Sequence, residues 1–144
     1  MSIVKILLVD DFVRWHQAVR SLLQPNAELQ VISEATNGLE AIEKALELQP
    51  HLVVLDIGLP AMNGIEVARH ICRAAPSLKI VFLTENSDRA VMKAAMSTGA
   101  CACGYVIKSD AVRQLLPAVE AVVAGKQFIG PESEDDSSVA AAAE

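Results

Sequence analysis

The hydrophobic and polar positions of this chain fall into two alternating kinds of segment. Short runs such as residues 6–9 and 52–55 are apolar at every position. Longer segments such as residues 38–48 space their apolar residues three or four apart, as a helix with one buried face does. Strands that are apolar throughout are typical of a parallel sheet covered on both sides. The pattern therefore predicts an α/β protein.

The alternation predicts five strands and five helices that follow one another in strict turn. The predicted strands are residues 3–9, 29–35, 52–56, 79–84 and 104–107. The predicted helices are residues 12–23, 37–48, 65–75, 88–97 and 110–124. Pro50 and Pro76 end the second and third helices, and Gly125 ends the fifth. Pro117 lies inside the fifth helix and is expected to kink it.

Two of the helices have a predicted inward face. The first helix is expected to bury Val13, His16, Val19, Leu22 and Leu23. The second is expected to bury Leu39, Ile42, Ala45 and Leu46.

Strands that alternate with helices join through right-handed crossovers into a parallel sheet with helices on both faces. We therefore expect a flavodoxin-like doubly wound (βα)5 sandwich with the strand order 2-1-3-4-5. The domain is expected to span residues 1–128. Residues 129–144 form an acidic tail that we expect to be disordered.

Polar side chains stand where the predicted strands end. Asp10 and Asp11 follow the first strand, and Asp56 ends the third. Thr84 ends the fourth strand, and Lys108 follows the fifth. The carboxyl ends of parallel strands meet at one edge of the sheet, where such folds bind their ligands. We therefore expect these side chains to converge, although each of them alone would more often be a turn residue or a solvated charge.

Three carboxylates at one edge require a cation. Oxygen ligands without cysteine or histidine favour a hard ion, and Mg²⁺ fits best because it takes few carboxylates and leaves room for a phosphate oxygen. A carboxylate can also act as the nucleophile that forms an aspartyl phosphate. The sequence therefore predicts phosphoryl transfer with Mg²⁺ as the cofactor, assisted by the ammonium of Lys108 and the hydroxyl of Thr84.

Charge and hydropathy limit the classes of partner that the chain could bind. The net charge is −6, but five of the 18 acidic residues lie in residues 132–144, which contain no lysine or arginine. The first 131 residues therefore carry 13 acidic and 12 basic residues and offer no basic stripe for nucleic acid. No apolar run approaches the roughly 18 residues of a membrane span. We expect a cytoplasmic protein that binds neither nucleic acid nor membrane.

Cysteine and histidine residues give no metal signature. An odd number of cysteines, Cys72, Cys101 and Cys103, argues against a disulfide framework and favours small buried apolar residues. The histidines lack ligand spacing and are expected at the surface or half-buried; they are His16, His51 and His70.

Four motifs resemble the response-regulator receiver domain of two-component signalling. They are ILLVDD (6–11), LVVLDIGLPAMNG (52–64), VFLT (81–84) and GYVIK (104–108). The segment 115–129 is similar to receivers that precede a helix-turn-helix DNA-binding domain in transcriptional regulators. Thirteen residues follow Pro131, fewer than such a domain has.

The resemblance implies a role for each site residue. Asp56 would be the phosphoacceptor, and Lys108 would bind the phosphoryl oxygens. Asp10, Asp11, Asp56 and the carbonyl of Gly58 would hold Mg²⁺. Thr84 would bond the phosphoryl group, and Tyr105 would follow it inward as the second switch residue.

The resemblance also implies the partners. A sensor histidine kinase or a phosphotransfer protein would supply the phosphoryl group, and a homodimer is possible. The surface of the fourth helix, fifth strand and fifth helix would respond. Such a protein is a switch that phosphorylates and dephosphorylates itself, and is not a turnover enzyme.

Two departures from the family pattern leave an alternative open. Glu85 stands beside Thr84 where the family usually has a small residue, and we expect its side chain to point to solvent. The run from Gly99 to Tyr105 is two residues longer than usual, and we expect the loop before the fifth strand to bulge. The alternative is a receiver-like interaction module that acts without phosphorylation. A haloacid-dehalogenase-like phosphatase would need Asp-x-Asp, but Phe12 follows the acid pair.

Overall fold

The structure is a computed structural model and describes residues 2–132. Its strands are β1 (Val4–Val9), β2 (Leu29–Ala35), β3 (Leu52–Leu55), β4 (Lys79–Thr84), β5 (Ala102–Ile107) and β6 (Phe128–Ile129). Its α-helices are α1 (Val13–Leu23), α2 (Gly38–Leu48), α3 (Gly64–Ala74), α4 (Arg89–Met96) and α5 (Ala111–Val123). A 3₁₀ turn, Lys108–Asp110, joins β5 to α5. Most of the tail predicted to be disordered, residues 133–144, lies outside the described residues.

The strands form one parallel sheet in the order β2-β1-β3-β4-β5-β6. This confirms the predicted flavodoxin-like fold and the order 2-1-3-4-5. The sixth strand was not predicted, because its two residues are too short to show a period. It pairs with Gly104 and Tyr105 of β5 and straddles the expected domain boundary at residue 128. The position of that boundary stays a prediction.

The sheet separates two hydrophobic clusters. Ile6 and Leu8 of β1 face the cluster that α1 and α5 cover, whereas Leu7 and Val9 face the cluster of α2, α3 and α4. Successive residues of a strand point to opposite faces, so a strand covered on both sides must be apolar throughout. This burial on both faces explains the apolar runs in the sequence.

The inward face of α2 agrees only partly with the prediction: Ala45 is buried and Ile42 is half-buried, as expected. Leu39 and Leu46 are 63% and 45% exposed, and the residues that α2 buries are Gly38, Ala41 and Ala45. A Cβ atom on Gly38 would lie only 2.8 Å from Cγ2 of Val67, so the helix approaches its neighbours too closely for large side chains on this face. Small residues therefore mark the buried stripe.

The prediction for α1 was partly wrong. His16, Val19 and Leu23 are buried and Leu22 is half-buried, as expected. Val13, however, is 60% exposed. It is the first residue of the helix and lies near the carboxyl end of the sheet, where the hydrophobic core ends.

The extra residues near Cys101 do not bulge in the loop before the fifth strand, as we expected. β5 begins at Ala102, and its pairing with β4 shifts so that Ile80 faces Ala102 and Val81 faces Gly104. Cys103 is therefore a bulge inside the strand, where an inserted residue disturbs the ladder only locally.

The expectation that the cysteines are unpaired small apolar residues was wrong for two of them. Cys72 of α3 and Cys101 form a disulfide with a Cα–Cα distance of 5.8 Å, and Cys103 is free.

The helix α5 runs from Ala111 to Val123 with Pro117 inside it. Within residues 2–132, no helix is long and apolar enough to cross a membrane.

Candidate functional site

The turn after β1 holds Asp10 rigidly and leaves Asp11 exposed. The backbone N–H of Asp10 donates to the carbonyl of Ala35 at 3.1 Å, and its own carbonyl accepts from Nε2 of His16 at 2.7 Å. Its Oδ1 accepts from the backbone N–H of Phe12 at 2.8 Å. Asp10 is therefore fixed through its backbone and its side chain, whereas Asp11 faces solvent.

The turn after β3 places Asp56 beside this acid pair. Asp56 is buried, its N–H donates to the carbonyl of Val9 at 3.0 Å, and its Oδ1 accepts from the N–H of Gly58 at 3.3 Å. The following loop folds back until Gly64 touches this turn. A Cβ atom on Gly64 would lie 2.1 Å from the carbonyl oxygen of Asp56, so only glycine fits there.

Lys108 supplies a positive charge between the two strand ends. Its Nζ is 2.7 Å from Oδ2 of Asp10 and 3.4 Å from Oδ2 of Asp56, and the side chain is buried. The same Nζ lies 4.9 Å from the ring centre of Trp15 in α1, a cation–π contact. We did not predict Trp15 as a member of the site.

The acidic groups outnumber this one ammonium. Carboxylate oxygens of Asp10, Asp11 and Asp56 all lie within 4.8 Å of one another. Burial raises the pKa of the Asp10 carboxyl, and the charge of Asp56 adds to this, although Lys108 and the N–H of Phe12 oppose it. An oxygen-only donor set with excess negative charge suits a hard divalent cation.

The two predicted switch residues, Thr84 and Tyr105, both hydrogen-bond the backbone of one further residue, Asn86. Oγ1 of Thr84 accepts from the backbone N–H of Asn86 at 3.2 Å, and the hydroxyl of Tyr105 donates to the carbonyl of Asn86 at 2.7 Å. The ring of Tyr105 is fully buried. Burial, with the charges of Asp56 and Asp88, raises the pKa of Tyr105 to about 12. Asn86 was missed because an asparagine after a strand resembles any turn residue.

These groups surround a cleft of about 480 Å³ at the carboxyl end of the sheet. It is lined by Asp11, Phe12, Asp56, Ile57, Gly58, Thr84, Glu85, Asn86 and Lys108. Glu85 is exposed at its rim, as expected. The predicted site residues therefore lie at one end of the sheet, with Asp10 behind the cleft and Tyr105 in the core. Their individual roles stay predictions.

His16 carried two conflicting expectations. The helical stripe placed it inward with Val19 and Leu23, whereas as a histidine it was expected at the surface or half-buried. It is 3% exposed and hydrogen-bonded to the Asp10 carbonyl, so the stripe was right. A polar residue within an apolar stripe must have a buried partner.

The chain is similar to several response regulators. LnrK, a transcriptional regulatory protein of Bacillus subtilis (strain 168), is 39% identical over 129 residues, which are 90% of this chain and 58% of LnrK. The response regulator GacA of Pseudomonas syringae pv. syringae (strain B728a) is 30% identical over 129 residues, 90% of this chain and 59% of GacA. The chain thus spans about three fifths of the length of these relatives.

Solved structures show the same fold. The crystal structure of a LuxR-family two-component response regulator from Aurantimonas sp. SI85-9A1 superposes with a TM-score of 0.85 at 34% identity, covering 91% of this chain and 92% of that one. The isolated REC domain of RcsB from Salmonella enterica serovar Typhimurium, with the phosphomimetic BeF3-, gives 0.82 at 26% identity, covering 89% and 94%.

A sequence family matches most of the chain directly. The family described as the response regulator receiver domain matches residues 6–120, which run from β1 into α5. This match confirms the resemblance that the four motifs carried. The chain belongs to the response regulator receiver domain family.

Proposed function

We propose that this chain is a phosphoacceptor receiver that takes a phosphoryl group onto Asp56. One observation carries the proposal: the buried Asp56 carboxylate opens into a cleft, 3.4 Å from the ammonium of Lys108 and beside two more carboxylates. A nucleophilic carboxylate, a fixed cation and a cluster of acidic ligands are the parts that phosphoryl transfer needs.

The transfer begins from a phosphohistidine on a sensor histidine kinase or a phosphotransfer protein. A carboxylate oxygen of Asp56 attacks the phosphorus and forms a P–O bond while the P–N bond to the imidazole breaks. The bonding electron pair remains on the imidazole nitrogen. Lys108 moves from the carboxylates toward the phosphoryl oxygens and neutralises the charge that collects there. The same cleft admits water, which later hydrolyses the acyl phosphate.

The cofactor that fits the acidic cluster is Mg²⁺. Asp10, Asp11, Asp56 and the carbonyl oxygen of Gly58 would hold it. A bound Mg²⁺ would neutralise the acidic cluster and the phosphoryl oxygens together. Asp11 is exposed and can turn toward an arriving ion, whereas Asp10 is already fixed.

The switch rests on Thr84, Asn86 and Tyr105. A phosphoryl oxygen would draw the hydroxyl of Thr84 away from the N–H of Asn86, and the hydroxyl of Tyr105 holds the carbonyl of the same residue. The change at the site thereby reaches β5 and the surface formed by α4, β5 and α5. Such a change biases an existing equilibrium between two states.

The partners follow from this role. The chain would contact a sensor histidine kinase or phosphotransfer protein in the cytoplasm, and its α4–β5–α5 surface could support a homodimer. Direct binding of nucleic acid by residues 1–131 is not expected, because their charges nearly cancel. The relatives named as transcriptional regulators are longer proteins, so a gene-regulatory output belongs to them.

The test is the intact mass of the protein after incubation with acetyl phosphate and Mg²⁺. We expect one phosphoryl group on the wild type, none on Asp56→Asn, and none on the wild type after chelation of Mg²⁺. Asp88→Asn is the matched control, because asparagine caps a helix as well as aspartate does and Asp88 caps α4 outside the site. It should accept a phosphoryl group as the wild type does.

Glu85 makes one second candidate worth testing. Its exposed carboxylate at the rim of the cleft could repel an incoming phosphoryl group, and the domain would then act as an interaction module. In that case the folded wild type would gain no phosphoryl group, while a control receiver in the same buffer would. Glu85→Ala separates the two candidates, because removal of the repulsion would restore the adduct.

A further inference from the structure

A series of hydrogen-bonded polar groups reaches Asp10 through the buried His16. Nε2 of His16 is 2.7 Å from the carbonyl oxygen of Asp10, and its Nδ1 is 2.6 Å from Oε1 of Glu34 at the end of β2. Oε2 of Glu34 accepts from Nε of Arg20 at 2.9 Å. This series of hydrogen bonds therefore links Arg20 at the protein surface to the backbone of Asp10.

The contacts of His16 define where its hydrogens lie. A carbonyl oxygen and a carboxylate oxygen both accept hydrogen bonds, so each ring nitrogen of His16 must donate one. Partial burial opposes ionisation of Glu34, but the hydrogen bonds from His16 and Arg20 hold the pKa of its carboxyl below the usual range. Glu34 thus orients the His16 ring as a fixed acceptor.

The carbonyl that His16 binds belongs to the peptide between Asp10 and Asp11. The N–H of Asp10 is already held by Ala35, so the bond from His16 fixes the plane of the next peptide. Asp11 is exposed, and its side chain starts from the backbone that this peptide defines. The orientation of that peptide therefore determines where the Asp11 carboxylate starts.

We propose that His16, oriented by Glu34, is a positioning residue that holds the Asp10–Asp11 turn in the geometry that binds a divalent cation. The inference rests on the proposed function, because it concerns the same cation site. It assigns a role to two residues outside the predicted site. Groups that orient metal ligands through hydrogen bonds commonly change metal affinity by about 10- to 100-fold when they are replaced.

A purely structural role makes a different prediction. His16 lies among Leu8, Val19 and Leu83, and its loss could weaken packing alone. Weaker packing would lower the stability of the fold but leave the Mg²⁺ affinity of the folded protein unchanged. Affinity, not stability, is therefore the informative measurement.

The experiment is a Mg²⁺ titration monitored by the fluorescence of Trp15, the one tryptophan of the chain, whose ring lies 4.9 Å from Nζ of Lys108. Titration calorimetry gives a second readout. We expect His16→Phe, which fills the space without donors, to bind Mg²⁺ about tenfold more weakly. His16→Arg should recover much of the affinity, because a guanidinium donates to two acceptors. His70→Phe, on the exposed face of α3, should match the wild type.

The outcomes separate the two proposals. A wild type that binds no Mg²⁺ by either readout overturns the proposed function, and the inference with it. A wild type that binds, an Asp11→Asn variant that does not, and a folded His16→Phe variant with unchanged affinity overturn the inference alone. If His16→Phe does not fold, Glu34→Ala decides instead, because its half-exposed side chain can be removed without a large cavity. Weaker binding by Glu34→Ala supports the inference, and unchanged binding overturns it.

Discussion

The two ends of the sheet have opposite properties. At the carboxyl end, a cleft of about 480 Å³ exposes parts of the buried polar residues Asp56, Thr84 and Lys108. At the amino end, a larger cleft of about 650 Å³ lies among mostly apolar side chains such as Leu46 and Pro76. Cavity size alone would favour the amino end, whereas the buried charges, which are rare unless they are paired, favour the carboxyl end as the functional site.

The difference extends to what holds each end together. The carboxyl end receives the N-termini of the helices, whose dipoles favour an anion such as a phosphoryl group. The disulfide between Cys72 and Cys101 lies at the amino end, because Cys72 is near the end of α3 and Cys101 precedes β5. We therefore expect changes at the amino end to affect stability and changes at the carboxyl end to affect chemistry.

The largest expected effect comes from reduction of the disulfide. It closes a loop with a sequence separation of 29, so its loss should lower the free energy of unfolding by about 3–4 kcal/mol. The measurement is urea unfolding of the protein with and without a reductant, and of Cys72→Ser. The extent of phosphorylation by acetyl phosphate should change little while the protein stays folded.

Cys103→Ser is the control for this prediction. Cys103 lies outside the disulfide, and burial raises the pKa of its thiol, so it is a poor nucleophile for disulfide exchange at neutral pH. Its substitution should leave the response to reductant intact. If reduction abolishes phosphorylation of the folded protein as well, the two ends are coupled and the comparison fails.

The sequence predicted what depends on local pattern. Five strands followed from apolar runs and helical spacing, and their order followed from the doubly wound fold that this alternation indicates. The polar residues that end four of those strands were found together in the structure. The convergence is a consequence of parallel topology, which brings all the strand ends to one edge. The family resemblance then gave each of these side chains an expected role.

What the sequence did not predict depends on contacts between distant segments. Cys72 pairs with Cys101 because α3 packs near the start of β5, and no spacing rule contains that distance. Trp15 reaches Lys108 across 93 positions for the same reason. Leu39 and Leu46 were wrongly placed on the inward face of α2, because hydrophobicity favours leucine there, whereas close packing selected glycine and alanine.

The next prediction concerns Tyr105, whose ring lies in the core and whose hydroxyl reaches toward the carboxyl end. Tyr105→Phe removes the hydrogen bond to Asn86 and should lower the free energy of unfolding by about 1 kcal/mol at neutral pH. The pKa of Tyr105 is raised to about 12, so the unfolded chain releases the phenol proton first, near pH 10. Wild-type stability should therefore fall between about pH 10 and 12 by an amount that the phenylalanine variant does not share.

Denaturant unfolding at pH 7 and in steps above pH 10 tests this. Because the chain has one tyrosine, absorbance of the phenolate reports on Tyr105 alone. Phe82→Leu changes the neighbouring ring and keeps the hydroxyl, so it should retain the alkaline loss of stability. A phenolate signal with an ordinary pKa in the folded protein would contradict the burial of this side chain.

The smallest net effect is expected for Asp10→Asn, because the pairing of Asp10 with Lys108 offsets part of the cost of its burial. The pKa of Asp10 is raised, so in the absence of a metal the folded state holds this proton more tightly than the unfolded state. Wild-type stability should then fall as the pH rises from about 3.9 through the raised value, and Asp10→Asn, which has no charge to bury, should be the more stable protein at pH 7. Thermal unfolding in EDTA at several pH values measures this difference, and Asp11→Asn, which removes an exposed carboxylate from the same turn, is the control. A wild type that stays more stable at every pH would mean that Lys108 outweighs burial, and that the carboxyl end sacrifices no stability for its chemistry.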